Sequence, residues 1–201
     1  MAHGPALPAW RTCCTRTPRG EGLQPVITLL RANRDLRWLF IAQVISFMGD
    51  WFSFVAVTGI VKDATGSEFL VSLAYVSFSL PSFLASPIAG VTVDRFDRRR
   101  LLLIVSLLQA VAALGLLTSS GSTVRPLFVF QGVISAFAAF VKPAIDAGVP
   151  NLARDSTELR TANALFGSTW GVMLAVGAAV GGVFSEAFGR RTAFVANAVS
   201  F

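Results

Sequence analysis

Uncharged apolar runs, separated by short polar knots, set the organisation of the chain. Val71 to Val93 contains no charge, nor do Leu101 to Ser119, Leu127 to Val141 and Ala164 to Phe184. A helix of roughly 20 residues, rising about 1.5 Å per residue, spans a ~30 Å hydrocarbon core. Leu36 to Val61 has the same apolar character around a single aspartate, Asp50. Thr192 opens a sixth run that stops at Phe201, too short to cross a bilayer. The pattern predicts five complete membrane helices at about 36–61, 71–93, 101–119, 127–141 and 164–184, and a partial sixth at 192–201. A β-barrel would show short alternating segments instead.

Polar residues inside these runs fall on helical stripes. Gln43, Ser46, Asp50 and Ser53 are spaced 3, 4 and 3 apart and share one face of the first helix. A carboxylate at that depth should face protein or water, not lipid. Two readings stand side by side: a cavity-lining residue, or a structural aspartate bonded to a neighbouring helix. In the second helix Ser72, Ser79, Ser82 and Ser86 share a face, and Pro81 and Pro87 interrupt the hydrogen-bond ladder. Ser106 and Gln109 are the main polar residues of the third helix, and Gln131, Gly132 and Ser135 of the fourth. In the fifth, Gly167, Gly171, Ala175, Ala178 and Gly182 form a ridge of small residues flanked by Gly177 and Gly181. Such spacing lets two membrane helices approach closely. Between the fourth and fifth helices, Lys142 to Thr161 reads as a helix-breaking connector around Pro143 and Pro150. It restarts at Asp155 or Ser156, where Glu158 can support a cap.

Composition narrows the class further. Hydrophobic residues make up 54% of the 201, and charged residues only 14%, against about 25% charged in a soluble domain. The net charge of +6 does not indicate nucleic acid, because the basic residues sit in the tail and the loops. Residues 1–35 read as a disordered basic tail with a short amphipathic lead-in to the first span. The tail lacks the apolar core of a secretory signal. Cys13 and Cys14 are adjacent and cannot staple a fold. His3 is the only histidine, so no histidine-based metal site exists, and no cofactor is expected. Membrane-embedded enzymology would need clustered His, Cys or carboxylates on one face; only Asp50 lies within a span.

The knot between the second and third spans, Gly90 to Arg100, holds Asp94, Asp97 and four arginines. Arginine is costly in hydrocarbon, so the knot lies at a membrane surface. Gly90, Asp94, Arg95, Arg98 and Arg99 resemble the signature G-x-x-x-D-R-x-G-R-[RK] of the major facilitator superfamily, which joins its second and third helices. Asp97 stands where that signature has glycine. Pro143, Ala144, Ala147, Pro150, Leu152, Leu159, Ala162 and Asn163 resemble the corresponding loop of the macrolide-efflux and enterobactin-exporter branch. Gly177, Gly181 and Gly182 resemble the end of the antiporter motif G-P-x-x-G-G. Ala178 replaces its proline, however, and Phe128 stands where proton-coupled members carry an arginine.

An internal repeat supports the resemblance. Gly182 to Arg191 aligns on Gly90 to Arg99 at an offset of 92, matching Gly90 with Gly182, Phe96 with Phe188, and Arg98 and Arg99 with Arg190 and Arg191. Facilitators are built from inverted three-helix units, two per half. The resemblance therefore implies an all-α integral membrane fold. The chain would be the N-terminal six-helix half of a twelve-helix transporter, built of two inverted three-helix repeats and cut within helix six. The implied function is secondary export of a drug-like or siderophore-like small molecule by alternating access. Asp94 and Arg95 would fasten a cytoplasmic gate to the missing C-terminal half, and Gly90 would permit close approach there. The expected partners are the lipid bilayer, the substrate and that missing half. Two other functional readings remain: a truncated fragment acting only as an interaction or regulatory subunit, and a facilitator-type importer. Lysines and arginines concentrate in the tail, the 95–100 knot and the 142–160 connector, which places the N-terminus in the cytoplasm of a multi-pass cell-membrane protein.

Overall fold

The computed structural model describes residues 24–119 and 123–201. The tail before Gln24, including His3, Cys13 and Cys14, lies outside the described residues. Seven α-helices follow in order: α1 (Gln24–Ala32), α2 (Arg34–Thr65), α3 (Glu68–Arg95), α4 (Arg98–Gly115), α5 (Arg125–Leu152), α6 (Ser156–Phe188) and α7 (Arg190–Ser200). A 3₁₀ turn, Leu116–Thr118, continues α4. Among the described residues there is no strand. Five helices, α2 to α6, are long and apolar enough to cross a membrane.

Local chemistry sets the helix ends. Asn33 caps α2, accepting from the Leu36 N–H at 3.2 Å. Gly66, at φ 62°, closes α2 in the left-handed conformation, and its N–H donates to Lys62 O at 2.8 Å. Asp97 caps α4 by accepting from the Arg100 N–H at 2.9 Å. That explains the departure from the facilitator signature. At φ −61° the position needs no glycine, and a carboxylate there is a helix cap.

The helices run further than the hydropathy pattern suggests. The segment 24–32, within the stretch read as tail and amphipathic lead-in, is a helix whose Leu29 is buried against Leu36, Ile145, Val149, Ala162 and Phe166. The expected connector from Lys142 is mostly helix. α5 passes through Pro143 and Pro150 to Leu152, and α6 starts at Ser156, at the expected restart, and runs unbroken into the apolar run from Ala164. An interior proline costs a helix roughly 3 kcal/mol. Here Ala144, Ile145 and Val149 bury an apolar face that offsets this cost. Only Ala153 to Asp155 remain as a connection.

The repeat in the sequence is a repeat in space. At the offset of 92, Arg98 opens α4 as Arg190 opens α7. α3 and α4 both pack on α5, while α6 and α7 both pack on α2. Each arginine reaches across to the first helix of the other unit. Arg98 Nη1 donates to Ala147 O of α5 at 2.7 Å, and Arg190 Nη1 meets Asp63 Oδ2 of α2 at 2.6 Å. Buried carboxamides repeat the crossing deeper in. Gln109 Nε2 of α4 donates to Ile134 O of α5 at 3.3 Å, and Asn197 Nδ2 of α7 donates to Ser53 Oγ of α2 at 2.9 Å. The main apolar core lies where the units interlock, around Ala56, Val57, Ala113, Leu127, Ile134 and Phe194. α3 buries little and exposes Phe69, Phe83, Leu84 and Ile88, as a lipid-facing helix does.

Candidate functional site

A cavity of about 660 Å³ opens between α2, α3, α5 and α6, with Gln109 of α4 at its back. α2 contributes Gln43, Ser46, Phe47, Asp50 and Trp51. α3 contributes Tyr75, Phe78, Ser79, Ser82, Phe83 and Ser86. α5 supplies Gln131, Ser135, Lys142 and Asp146 among others, and α6 supplies Phe166, Gly167 and Trp170. Asp50 is the seventeenth residue of α2, so helical rise places it about 24 Å from the start of that helix.

The polar atoms of this cavity are incompletely matched. Gln43 Oε1, Asp50 Oδ1, Gln109 Oε1 and both amide atoms of Gln131 are buried with no hydrogen-bond partner among the described residues. An unmatched buried polar group costs about 1–3 kcal/mol, so such groups mark places that water or a ligand completes. The hydroxyls are spent differently. Ser79 donates to Tyr75 O at 3.0 Å, Ser86 to Ser82 O at 2.7 Å, and Ser135 crosses from α5 to Phe78 O beside the Pro81 break. Aromatic walls hold their places by mutual contact. Trp51 packs edge-on against Phe54 at 5.6 Å and tilted against Phe78 at 5.8 Å.

Four of the five expected cavity residues come together here: Gln43, Ser46, Asp50 and Gln131. Ser53 does not. It is fully buried in the α2–α7 contact and bonded to Asn197. Ser53 lies about two turns of helix further on than Ser46, where α7 covers the stripe.

The knot between α3 and α4 sits at the same end of the bundle as the start of α2 and the α5–α6 connection. Asp94 and Arg95 are exposed and make no hydrogen bond or ion pair among the described residues. Arg98 is half-buried through its bond to Ala147 O, and Arg99 is exposed. A Cβ added at Gly90 would meet nothing within 4 Å, so no close helix approach occurs there within this chain.

A family model for the Major Facilitator Superfamily matches residues 39–201. The chain belongs to this superfamily. It is 28% identical over 174 residues to an uncharacterized MFS-type transporter, YfiS, of Bacillus subtilis, covering 86% of this chain and 41% of that protein. It is 26% identical over 166 residues to a putative bacilysin exporter, BacE, of Bacillus amyloliquefaciens, covering 82% of this chain and 41% of that protein. It is 28% identical over 178 residues to a multidrug efflux pump, Tap, of Mycobacterium tuberculosis, covering 85% of this chain and 42% of that protein. The chain thus spans about two fifths of the length of these curated relatives. No solved structure gave a significant match.

In this facilitator the expected small-residue ridge on α6 is displaced. Gly167, Gly171 and Gly182 face open space within the chain. Ala178 is only partly buried. The face that packs is Ala162, Phe166, Thr169, Met173, Gly177 and Gly181. A Cβ on Gly177 would lie 2.7 Å from Trp51 Cδ1, and one on Gly181 3.3 Å from Trp51 O. Gly181 is therefore a packing residue as expected, while Gly177, read as a flank, is the tightest contact. One position along a helix is a turn of about 100°, so the expected ridge lay on the neighbouring face.

A polar cluster at the Arg95 end has no counterpart in the sequence reading. Asn33 Nδ2 donates to Leu152 O at 2.8 Å and to Glu158 Oε2 at 3.3 Å, while Arg154 Nη2 donates to Ala32 O at 2.9 Å. The cluster ties α1 and the start of α2 to the α5–α6 connection. Separations of 119 to 125 residues hide it from any local pattern. Gln109 carried a weak signal, as one of two main polar side chains in an uncharged run.

Proposed function

We propose that this chain forms the N-terminal half of a secondary transporter that exports a drug-like or siderophore-like small molecule by alternating access. The observation that carries this reading is the cavity between the two inverted units, lined by residues with buried polar atoms that no group among the described residues completes. In facilitators the two six-helix halves rock about a site near the midplane, and this cavity would be this half's share of that site. Two relatives bear the names of an exporter and an efflux pump, which favours outward transport. Lysines and arginines crowd the ends near Arg37, Arg98 and Arg154, which supports a cytoplasmic side for those ends and the N-terminus. In this reading Asp94 and Arg95, free and exposed at that surface, fasten the gate to the other half of the transporter when the outer side is open. Gly90 leaves an uncovered backbone surface for that half to approach.

The test uses the full-length transporter in a bacterial strain stripped of its own efflux pumps. Wild-type protein lowers accumulation of ethidium or of a catecholate siderophore. Asp94→Asn leaves membrane insertion unchanged and reduces efflux, because the carboxylate biases a conformational equilibrium rather than holding the helix in the bilayer. Equal efflux at equal surface expression refutes the gating role. Unchanged accumulation with wild-type protein, across compounds of both kinds, refutes the export reading.

A further inference from the structure

The geometry of the cavity points to its ligand class: we propose that it takes amphipathic organic cations, compounds with an aromatic or apolar body and a protonated amine. This deepens the export reading and rests on it. Three charged residues line the cavity, Asp50, Lys142 and Asp146. Lys142 Nζ and Asp146 Oδ2 stand 2.6 Å apart, one helical turn along α5, and cancel each other. Asp50 is left as the one of the three with no ionic partner among the described residues. Its Oδ1 is buried and unmatched, with no lysine or arginine paired to it among the described residues. The Asn197 carboxamide hydrogen-bonds the Asp50 side chain as well as donating to Ser53, but it is neutral and supplies no countercharge.

The hydrogen-bond inventory points the same way. Gln109 spends its amide N–H on Ile134 O, which leaves Oε1 as an unmatched buried acceptor in the wall. Among the buried atoms, Gln43 Oε1 and Gln131 Oε1 add two more unmatched acceptors, against one unmatched amide nitrogen, on Gln131. Ser79, Ser86 and Ser135 give their protons to backbone carbonyls, so each hydroxyl oxygen keeps lone pairs free to accept. An ammonium supplies several N–H donors and the countercharge that Asp50 lacks. A carboxylate or catecholate would bring further acceptors and a negative charge beside the unpaired Asp50. The rest of the lining suits the body of such a ligand, since the faces of Trp51, Trp170 and Tyr75 attract cations and bury apolar surface. A bare metal ion fits less well: the described residues contain no cluster of three metal-ligating side chains.

The test compares three probes of one shape: 1-naphthylmethylammonium, 1-naphthylmethanol and 1-naphthoate. Binding to the full-length protein in nanodiscs is read by equilibrium dialysis at pH 7. The ammonium binds at least tenfold tighter than the alcohol, and the carboxylate binds weakest. Asp50→Asn removes the advantage of the ammonium over the alcohol, and Asp50→Glu, which keeps the charge, retains it. Where a variant does not survive purification as a single species, the wild-type ranking decides. The alcohol or the carboxylate binding as tightly as the ammonium overturns the cation assignment and leaves the export reading standing. Absence of binding by all three probes, together with unchanged accumulation in cells, overturns both.

Discussion

Gly177 makes the sharpest demand on the packing of α6 against α2. A methyl group there would sit 2.7, 2.8 and 3.1 Å from Cδ1, Cγ and Cβ of Trp51. The indole cannot swing aside. It is 6% exposed and wedged against Phe54 and Phe78, and its Cβ is fixed by the backbone of α2. Overpacking a tight contact costs about 1–3 kcal/mol. Against this, Gly→Ala in a helix gains about 1 kcal/mol of backbone propensity wherever it is made. Gly171, two turns away on the open face, supplies the control, because an added Cβ there meets nothing within 4 Å. The difference between Gly177→Ala and Gly171→Ala therefore isolates the clash, at about 1–3 kcal/mol. For a chain of this size each kcal/mol moves a melting temperature by roughly 2–4 °C. Gly177→Ala should melt about 2–12 °C below Gly171→Ala in detergent, and Gly171→Ala at or above wild type. The readout is thermal unfolding of purified protein by fluorescence. Equal melting of the two variants would mean that α2 and α6 do not meet at Trp51.

Two further predictions address the end of the bundle that carries Asn33. Asn33→Ala removes the cap of α2 and the bond to Leu152 O, a loss of about 2 kcal/mol. Amide exchange across α1 should rise roughly 30-fold, as that energy implies, and unchanged exchange would refute the tie. Asp155 caps α6 by accepting from Thr157 N–H at 2.7 Å and Glu158 N–H at 2.8 Å. The Glu158 backbone bond first, then that of Thr157, holds its carboxyl below the ordinary value of 3.8. The folded value lies below the unfolded one, so the charged cap contributes fully above about pH 4. It fades as pH falls through the folded value. Asp155→Asn keeps a cap that does not titrate, so its melting temperature should fall less than that of wild type between pH 7 and pH 3. Parallel curves would refute the linkage.

Much of the architecture follows from the chain alone, because a bilayer leaves a sequence few choices. Backbone groups in hydrocarbon must bond within their own segment, so long uncharged runs become helices, and costly arginines mark the surfaces between them. The 92-residue offset between Gly90 and Gly182 already contains the inverted pair of units. The stripe Gln43, Ser46, Asp50 follows from helical period, and so does its inward direction, since lipid cannot hold a carboxylate.

Tertiary contact decided the rest. Ser53 has the period of the stripe but lies under α7, and no local rule foretells where a neighbouring helix ends its cover. Pro143 and Pro150 read as breakers because their local cost is visible in sequence, while the apolar face of Ala144, Ile145 and Val149 acts only once α1 and α6 are in place. Gly177 and Gly171 have the same propensities, and only Trp51 on another helix separates them. Asp97 breaks a signature by type and satisfies its geometry by capping. The unmatched atoms of Asp50, Gln109 and Gln131 form one site only when three helices meet, because a hydrogen-bond vacancy is a property of surroundings and not of a residue.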